Sequence, residues 1–532
     1  MSHNRFKILV TDNANQLAQA LTIKEQIAEV CCAHYGAHNL DQMVPAGSVF
    51  IHPGPKEYFK GAMDKFNSLC KYPALMTTDM EEGPGLMIKG GTKFPSMAGC
   101  AATKDLNNAY TMGKIAGIEG RQVGFNWTLA PCVDINYVPD TPTCTTRTAG
   151  QTADEVIAVT SNYIKGCQEN GLMATAKHFP GDGFGVYDQH LTTPANPHSM
   201  EQWWAQSGKV YQTLIDEGVM TIMPGHISLP AYDDVDPING LYPPANQSKK
   251  ILTDLLKGEL NFDGLIVSDA INMGGFAGFR NIYDGCAMFL EAGGDVLLFA
   301  NPTEEFVNEM LKRIESGLLS KETLLNRAAR VLALKEQIGV IGADQDSVFT
   351  QIPQNVDLAD DQKVADKVIA DSIRLVRDRK SVLPVKDSPN KKVLHVTVLV
   401  ESMDDAERQT IIDLNAQLEK EFSMVTHMDD PGPNQILDIV NSGEYDLIIC
   451  SLGNSYKYAT NVIRLYGKVA RNMMSGWMHM GTDVVFISHF HHRTHEEYLA
   501  VMDCVINTYG TMDQTHEMLV DRIVGKETIL AL

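Results

Sequence analysis

Short apolar runs alternate with helix-like segments over residues 44–300, and this alternation is the clearest pattern in the chain. Each run has the length of one buried strand. The runs are Gly47–Ile51, Ala74–Thr78, Phe125–Leu129, Leu172–Ala176, Val219–Met223, Leu265–Ser268 and Asp295–Phe299. Nearly continuous apolar strands separated by helices indicate a parallel sheet that is buried on both faces. Seven such units in one block favour a (β/α)8 TIM barrel over a shorter doubly wound sheet.

A second alternation of strands and helices begins near residue 391, and a chain of 532 residues is longer than one hydrophobic core usually supports. The segment before it is polar and interrupted by Pro353, Pro384 and Pro389. The later runs, which predict a smaller α/β sandwich, are Lys392–Val400, Tyr445–Cys450 and Asp483–Ser488. We therefore predict a barrel at residues 1–340, a linker at 341–390 and an α/β sandwich at 391–532.

The net charge and the cysteines limit which binding partners and which cellular compartment we expect for this protein. The formal net charge of -22 repels phosphate backbones and anionic lipids, so we expect no nucleic-acid or membrane partner. The ten cysteines form no CxxC pair, the first 26 residues lack an apolar signal core, and no apolar stretch is long enough to span a bilayer. These features predict a reduced, cytoplasmic setting. The oligomeric state stays open, and a homodimer is compatible with the sequence.

Polar residues cluster where the predicted barrel strands end. They are Asp79, Asp134, Lys177, His178, His226 and Asp269. In a barrel these positions surround the mouth at the carboxyl ends of the strands, where functional groups of this fold lie. Turn chemistry or a helix cap explains any single one equally well, but the group together predicts a functional site.

The segment Lys177–Gly183 is the most informative stretch, because proline and glycine force an irregular loop directly after a strand. The loop continues to Asp188 and His190, an Asp-x-His pair. A carboxylate can accept the Nδ1–H of a neighbouring imidazole, fix its tautomer and favour its protonated form, which yields an oriented proton donor. Taken alone, such a pair is more often a solvent-exposed one.

Taken together, the motifs resemble glycoside hydrolase family 3, in particular its β-N-acetylglucosaminidase branch. They occur in one order over nearly the whole chain: Thr78–Gly83, Phe94–Met97, Ala130–Asn136, Thr146–Gly150, Lys177–Gly183, Phe262–Ala270 and Ala292–Asp295. The resemblance implies a TIM barrel followed by an α/β sandwich. It also implies a retaining exo-β-N-acetylglucosaminidase that acts on a terminal β-linked GlcNAc-type carbohydrate, with no cofactor and no metal.

The resemblance also implies roles for individual residues. Asp269 matches the catalytic nucleophile, and Asp188 with His190 matches an acid/base dyad. The residues implied to hold the sugar hydroxyls are Asp79, Arg147, Lys177 and His178. Asp134 is interpreted as a buried support for them. His226 is open between a contact with the acetamido group and the capping of a turn.

In the chemistry so implied, Asp269 attacks the anomeric carbon while His190 protonates the leaving oxygen, and neutral His190 then takes a proton from water. Retaining glycosidases usually use two carboxylates about 5 Å apart. A neutral imidazole does not repel anions as a second carboxylate would, so inorganic phosphate is an alternative acceptor and a phosphorylase an alternative function. A β-glucosidase and a non-catalytic sugar-binding protein also stay open as functions.

The segment Ser488–His495 contains four histidines and raises the question of a metal site. It has no acidic or cysteine ligand with a recognisable spacing. We therefore predict, in this order, a surface or interdomain loop, a substrate-side loop and a metal site.

Overall fold

A computed structural model describes residues 5–342, 347–353, 357–459, 461–474, 476–510 and 512–532. The described residues form two compact units. The first unit takes those within Met1–Lys93, Leu106–Tyr137 and Thr148–Gln362. The second takes those within Phe94–Asp105, Val138–Arg147 and Lys363–Leu532.

This division differs from the predicted one, because two short early segments join the second unit and the predicted linker 341–390 is shared between the units. Within that linker, Leu358–Ser372 forms a helix and Arg374–Asp378 forms a strand. Both elements are rich in polar and half-buried residues, so the apolar pattern does not reveal them. Residues 343–346 and 354–356 of the predicted linker lie outside the described residues.

In the described part of the first unit, eight parallel strands form the barrel. They are β1 Cys31–His34, β2 Ser48–Phe50, β3 Leu75–Thr78, β4 Trp127–Thr128, β5 Thr175–Phe179, β6 Thr221–Pro224, β7 Leu265–Ile266 and β8 Leu297–Leu298. They pair in two arcs, β8-β1-β2-β3-β4 and β5-β6-β7. Parallel bridges from Trp127 to Met173 and from Val267 to Val296 join the arcs. The ring is thereby closed, and the predicted TIM barrel is confirmed.

The strand β1 is the barrel strand that the apolar pattern does not predict. Its sequence, Cys-Cys-Ala-His, lacks the β-branched and aromatic residues typical of strands. It also follows the helix Ile23–Glu29 after the single residue Val30, so no turn signal separates the two elements. Tertiary pairing with β2 and β8 makes it a strand.

Helices surround the barrel strands. They are Asp12–Gln19, Ile23–Glu29, Lys56–Asn67, Leu106–Val123, Ala153–Glu169, Met200–Ala205, Ser207–Asp216, Gly274–Ala277, Ile282–Ala292, Glu304–Glu315 and Lys321–Gln337, with a π-helix at Lys250–Glu259. Leu106–Val123 and Ala153–Glu169 approach each other closely at Gly113 and Gly166. A Cβ atom at either glycine would lie 2.2 Å from a carbonyl oxygen of the opposite helix. Larger residues there would push apart the two helices that flank β4 and β5.

The described part of the second unit contains a seven-stranded sheet. Its strands are β9 Arg374–Asp378, β10 Lys392–Leu399, β11 Met424–Asp429, β12 Leu447–Asn454, β13 Asp483–Phe490, β14 Cys504–Asn507 and β15 Leu530–Ala531, in the spatial order β11-β10-β12-β13-β14-β9-β15. Strands β10 to β14 are mutually parallel, and β9 runs antiparallel to β14.

Helices of the second unit are Met97–Ala102, Asp405–Ile412, Leu414–Glu421, Pro433–Ser442, Gly467–Ala470 and Asp513–Val524. Successive residues of β12 enter different apolar clusters: Ile448 and Leu452 lie in one, and Leu447 and Ile449 in the other. Both faces of the sheet are therefore covered, which confirms the predicted α/β sandwich. Among the described residues of either unit, no helix combines the length and apolar character needed to cross a bilayer.

Candidate active site

Asp269 lies just beyond β7, at the barrel mouth, and is 5% exposed. Its backbone N–H donates to the carbonyl of Pro224 at 3.2 Å, and its Oδ1 accepts the N–H of Ala270 at 2.7 Å. Burial alone would raise the pKa of this carboxyl, but the nearby rings of His178 and His190 and the N–H of Ala270 lower it below its ordinary value. Asp269 is therefore a fixed, ionised carboxylate that can act as a nucleophile.

Asp134 is fully buried beneath His178 and accepts four hydrogen bonds. Its donors are the Nδ1–H and backbone N–H of His178 at 2.7 and 3.2 Å, the N–H of Asp182 at 2.8 Å and the Sγ–H of Cys132 at 3.1 Å. Burial opposes ionisation of Asp134, but His178 and these donors lower its pKa. They thereby orient His178, whose Nε2 lies 3.8 Å from Oδ2 of Asp269. The geometry agrees with the interpretation of Asp134 as a buried support.

Lys177 lies on β5 next to His178, and its side chain lies between two carboxylates. Its Nζ is 3.0 Å from Oδ1 of Asp79 and 2.7 Å from Oε1 of Glu81, and its side chain is 5% exposed. The three side chains form a polar group at the ends of β3 and β5, with donors and acceptors suited to hydroxyl groups. Glu81 was not singled out from the sequence, although it follows the strand end by only three residues.

Asp188 and His190 form the predicted pair on the loop after β5. Oδ1 of Asp188 accepts the backbone N–H of His190 at 2.9 Å and its Nδ1–H at 2.6 Å. The Asp188 side chain is fully buried, and that of His190 is 11% exposed. This bonding holds the ring with Nδ1 protonated, so proton exchange with a ligand takes place at Nε2. His190 lies near enough to Asp269 to lower the pKa of that carboxyl.

His226 is fully buried, and both of its ring nitrogens bond protein groups. Its Nε2–H donates to the carbonyl of Ala270 at 3.0 Å, and its Nδ1 accepts from Nδ2 of Asn246 at 2.5 Å. Burial lowers the pKa of the ring, which is therefore neutral. A contact between this ring and an acetamido group would require one of these bonds to break. The ring instead holds the backbone directly after Asp269.

Gln189, between the members of the dyad, connects their loop to β6. Its Oε1 accepts the backbone N–H of His226 at 3.0 Å, and the residue is fully buried. The backbone carbonyl of His190 accepts the N–H of Gly274 at 2.8 Å. A Cβ at Gly275 would lie 2.4 Å from the carbonyl oxygen of Gln189, so the loop packs directly on this backbone. Neither Gln189 nor Asn246 was indicated by the sequence.

Arg147 falls in the second unit, unlike the other predicted site residues. Its Nη1 donates to the carbonyl of Thr143 at 3.1 Å within the same segment. Its contact with a sugar hydroxyl stays a prediction. Among the described residues, one group has metal-like spacing, Cys132 with Asp134 and His178. There the thiol and imidazole hydrogens already bond the carboxylate.

The histidine-rich segment is not a surface loop. His489 lies on β13 and is 1% exposed, and His491 and His495 are 3% and 5% exposed. Burial lowers the pKa of all three rings, that of His491 to about 3, so the rings are neutral. The prediction of a surface loop is therefore wrong, because the segment follows a central strand of the sheet and these three histidines are buried. The interdomain and substrate-side alternatives stay predictions.

Two proteins that are similar to this chain in sequence are named as β-hexosaminidase or β-N-acetylglucosaminidase enzymes. A protein of Cellulomonas fimi named beta-N-acetylglucosaminidase/beta-glucosidase is 33% identical over 340 residues, which are 62% of this chain and 58% of that protein. A beta-hexosaminidase of Pasteurella multocida is 32% identical over 44% of this chain and 66% of its own length. These matches thus span less than two thirds of either curated relative.

Solved structures match almost the whole chain. The beta-glucoside phosphorylase BglX has a TM-score of 0.87 at 26% identity, covering 99% of this chain and 96% of the other. A glycoside hydrolase family 3 beta-N-acetylglucosaminidase from Paenibacillus has a TM-score of 0.78 at 22% identity, covering 96% and 98%, and shows the shared fold. The family model for the glycosyl hydrolase family 3 N-terminal domain matches residues 56–334, more than half of the chain. The chain therefore belongs to glycosyl hydrolase family 3.

Proposed function

We propose that this chain is a retaining exo-β-N-acetylglucosaminidase with Asp269 as nucleophile and the Asp188–His190 pair as acid/base. One observation carries the proposal. Asp269 is buried at the barrel mouth with a lowered pKa, and His190, whose Nδ1–H is held by Asp188, is one of the groups that lower it. The names of the relatives from Cellulomonas fimi and Pasteurella multocida support the choice of an N-acetylated sugar.

The reaction has two displacements at the anomeric carbon. In the first, a carboxylate oxygen of Asp269 bonds to C1, the bond from C1 to the leaving oxygen breaks, and Nε2–H of His190 gives its proton to that oxygen. In the second, Nε2 of His190 takes a proton from water as the water oxygen bonds to C1 and Asp269 departs. Each displacement inverts C1, so the β configuration is retained.

Polar side chains around Lys177 support sugar binding. The proposal assigns the hydroxyls of the terminal sugar to Lys177, Asp79 and His178, and adds Glu81, which bonds Lys177 at 2.7 Å. Asp134 holds His178 from behind with its 2.7 Å bond to Nδ1. Because these groups are fixed before a ligand arrives, little ordering accompanies binding.

The test is hydrolysis of p-nitrophenyl N-acetyl-β-glucosaminide by the wild type and by Asp269→Asn. We expect a loss of at least about a thousandfold in kcat, because a nucleophile cannot be replaced by its amide. Asp263→Asn is the matched control, since Asp263 precedes the same strand β7 at its opposite end and pairs there with Arg330. A fluorinated glycoside that labels a residue other than Asp269 would contradict the assignment. No turnover by the wild type would favour a sugar-binding protein.

A phosphorylase is the second candidate function. The similar structure of a beta-glucoside phosphorylase, which covers nearly the whole of both chains, favours it. In this reaction a phosphate oxygen replaces water in the second displacement and sugar 1-phosphate is released. Turnover with and without inorganic phosphate, followed by sugar 1-phosphate release, separates the two acceptors. Comparing the rates of cleavage of the glucoside and of the acetamido substrate distinguishes a β-glucosidase, which would cleave the glucoside faster.

The proposal places the enzyme in the cytoplasm. All ten cysteines are free thiols, and nine of them are buried. Burial raises the pKa values of eight of them, for example that of Cys32 to about 12, so these thiols stay protonated and unreactive. Carbohydrate is the only partner we propose. A homodimer stays a prediction, which sedimentation of the purified chain tests.

A further inference from the structure

The turn that carries the Asp188–His190 pair also exposes apolar side chains. The carbonyl of Asp188 accepts the backbone N–H groups of Leu191 and Thr192 at 3.0 and 3.1 Å, so the chain makes a β-turn here. Such a turn brings its first and last Cα atoms to within about 7 Å of each other. Tyr187 directly precedes the turn and is 63% exposed, and Leu191 ends it and is 48% exposed. Both side chains therefore flank His190.

Backbone contacts fix this turn before any ligand binds. The carbonyl of His190 accepts the N–H of Gly274 at 2.8 Å, and the hydroxyl of Thr193 donates to the carbonyl of Gly275 at 3.0 Å. A Cβ atom on Gly274 would lie 2.5 Å from the carbonyl oxygen of Leu191, so the two segments pack directly on each other. The exposed apolar side chains are thus presented by an ordered backbone, which lowers the cost of ordering them on binding.

The exposed surface of this loop carries no charge, although the chain is strongly acidic. Charged residues make up 21% of the whole chain, and its formal net charge is -22. The exposed residues of segment 183–197 are nevertheless all uncharged: Val186, Tyr187, Leu191, Thr192, Ala195 and Pro197. An apolar ligand group that covers such a surface removes apolar area from water, whereas a charged group finds no partner on it.

The chemistry of the proposed function puts the leaving group against this surface. Asp188 holds the Nδ1–H of His190 at 2.6 Å, so Nε2 is the atom that gives its proton to the leaving oxygen. That oxygen must then lie roughly 3 Å from Nε2. The sugar ring lies between this oxygen and Asp269, so the aglycone extends away from the nucleophile and along the residues that flank His190.

We propose that Tyr187 and Leu191 form the aglycone-binding surface of this enzyme and select substrates whose aglycone is an uncharged aryl or alkyl group. The inference rests on the proposed function, because the assignment of His190 as the acid puts the aglycone here. It adds the class of leaving group, which the sugar-binding residues do not determine. Both side chains act on specificity, since neither contacts the reacting atoms.

A series of β-N-acetylglucosaminides with butyl, hexyl and octyl aglycones tests this surface, because the three leaving alcohols have nearly the same acidity. Each added CH2 group that is covered removes apolar area from water. We therefore expect kcat/KM of the wild type to rise at least about tenfold from the butyl to the octyl glycoside. The dissociation constants of the same glycosides from the Asp269→Asn variant should fall by a similar factor.

Tyr187→Ser and Leu191→Ser remove the apolar side chains, and we expect each to reduce the octyl-to-butyl ratio about three- to fivefold. This ratio cancels any general effect on His190 or on folding, so a merely structural role would not change it. Leu69→Ser is the matched control, since Leu69 is 40% exposed and lies between the helix Lys56–Asn67 and the amino end of β3. Its ratio should equal that of the wild type.

A wild-type ratio near one, in both rate and affinity, would overturn the proposal. A high ratio that survives both serine variants would also overturn it. Absence of turnover would contradict the proposed function, and the affinities of the Asp269→Asn variant would then decide about the surface separately. An affinity that still rises with chain length and falls in the serine variants supports the apolar surface, whereas equal affinities for all three glycosides contradict it.

Discussion

Mild acid should destabilise the second unit, because this unit buries neutral histidines that become protonated when the chain unfolds. His395 on β10 is fully buried, its Nδ1–H donates to Oδ1 of Asn415 at 2.8 Å, and its Nε2 accepts the hydroxyl of Ser451 at 2.9 Å. Burial lowers its pKa from 6.5 to about 4, and that of His491 from 6.5 to about 3. Below pH 6.5 the unfolded chain therefore binds protons that the folded unit does not bind.

The sign and size follow from linkage. A histidine with a depressed folded pKa contributes its full stability above the unfolded value of 6.5 and loses that contribution as the pH falls. Each pH unit is worth about 1.4 kcal/mol per ring, so lowering the pH from 7 to 5 costs about 2 kcal/mol for each. His395 and His491 together cost about 4 kcal/mol, a large part of the roughly 5–15 kcal/mol that stabilises a domain.

Urea unfolding followed by hydrogen exchange in peptides from β10 and β12, at pH 7.5, 6 and 5, measures this loss. His395→Gln keeps one donor and one acceptor but cannot be protonated, so we expect the slope of unfolding free energy against pH to fall by about 1.4 kcal/mol per unit. Leu452→Ala, a fully buried residue of β12, is the control. It should lower stability by about 2–5 kcal/mol at every pH without changing the slope. An unchanged slope for His395→Gln would refute the reasoning.

Three further predictions concern the barrel mouth. Asp134→Asn should lower kcat about a hundredfold and the unfolding free energy by about 2–3 kcal/mol, because an amide cannot accept hydrogen bonds from all four donors. Cys132→Ala removes one of these donors and should lower the unfolding free energy by only about 1 kcal/mol. Steady-state kinetics measures kcat, and urea unfolding measures the unfolding free energy. Gln189→Leu removes the acceptor for the His226 N–H and should slow glycosides with poor leaving groups about tenfold more than activated ones; equal slowing would contradict a role in placing the dyad. Lys177→Met leaves two carboxylates facing each other and should raise KM at least about tenfold, and an unchanged KM would argue against sugar binding there.

The sequence predicted those strands in which consecutive residues are apolar because both faces of the strand are buried. Strands such as β7 are buried on both faces, so their apolar runs identify them. Strand β11, Met424–Asp429, lies at the sheet edge and is half buried throughout its first five residues, so no apolar run marks it. Strand β1 consists of small residues and a histidine. Pairing with distant strands, rather than local preference, determines both.

The site residues likewise divide into those that a local sequence pattern predicts and those that only distant contacts reveal. Asp269 and His178 were predictable, because each lies at the end of an apolar strand and the carboxyl ends of barrel strands meet at one mouth. Gln189 was not, since a glutamine in a loop is usually solvated, and only the structure shows it fully buried against the N–H of His226. Asn246 likewise acts through a partner 20 residues away.

His226 shows why position at a strand end does not determine a role. Its ring is held by Asn246, 20 residues later, and by the carbonyl of Ala270, 44 residues later. Both partners lie far along the chain, so no local sequence pattern could show that the ring bonds protein groups and not a ligand. The bond to Ala270 acts on the peptide next to Asp269, and the His226 N–H bonds Gln189 between the two members of the dyad. One neutral imidazole residue thus connects the nucleophile strand with the acid/base loop, and its replacement should disturb both displacements even without contact with the sugar.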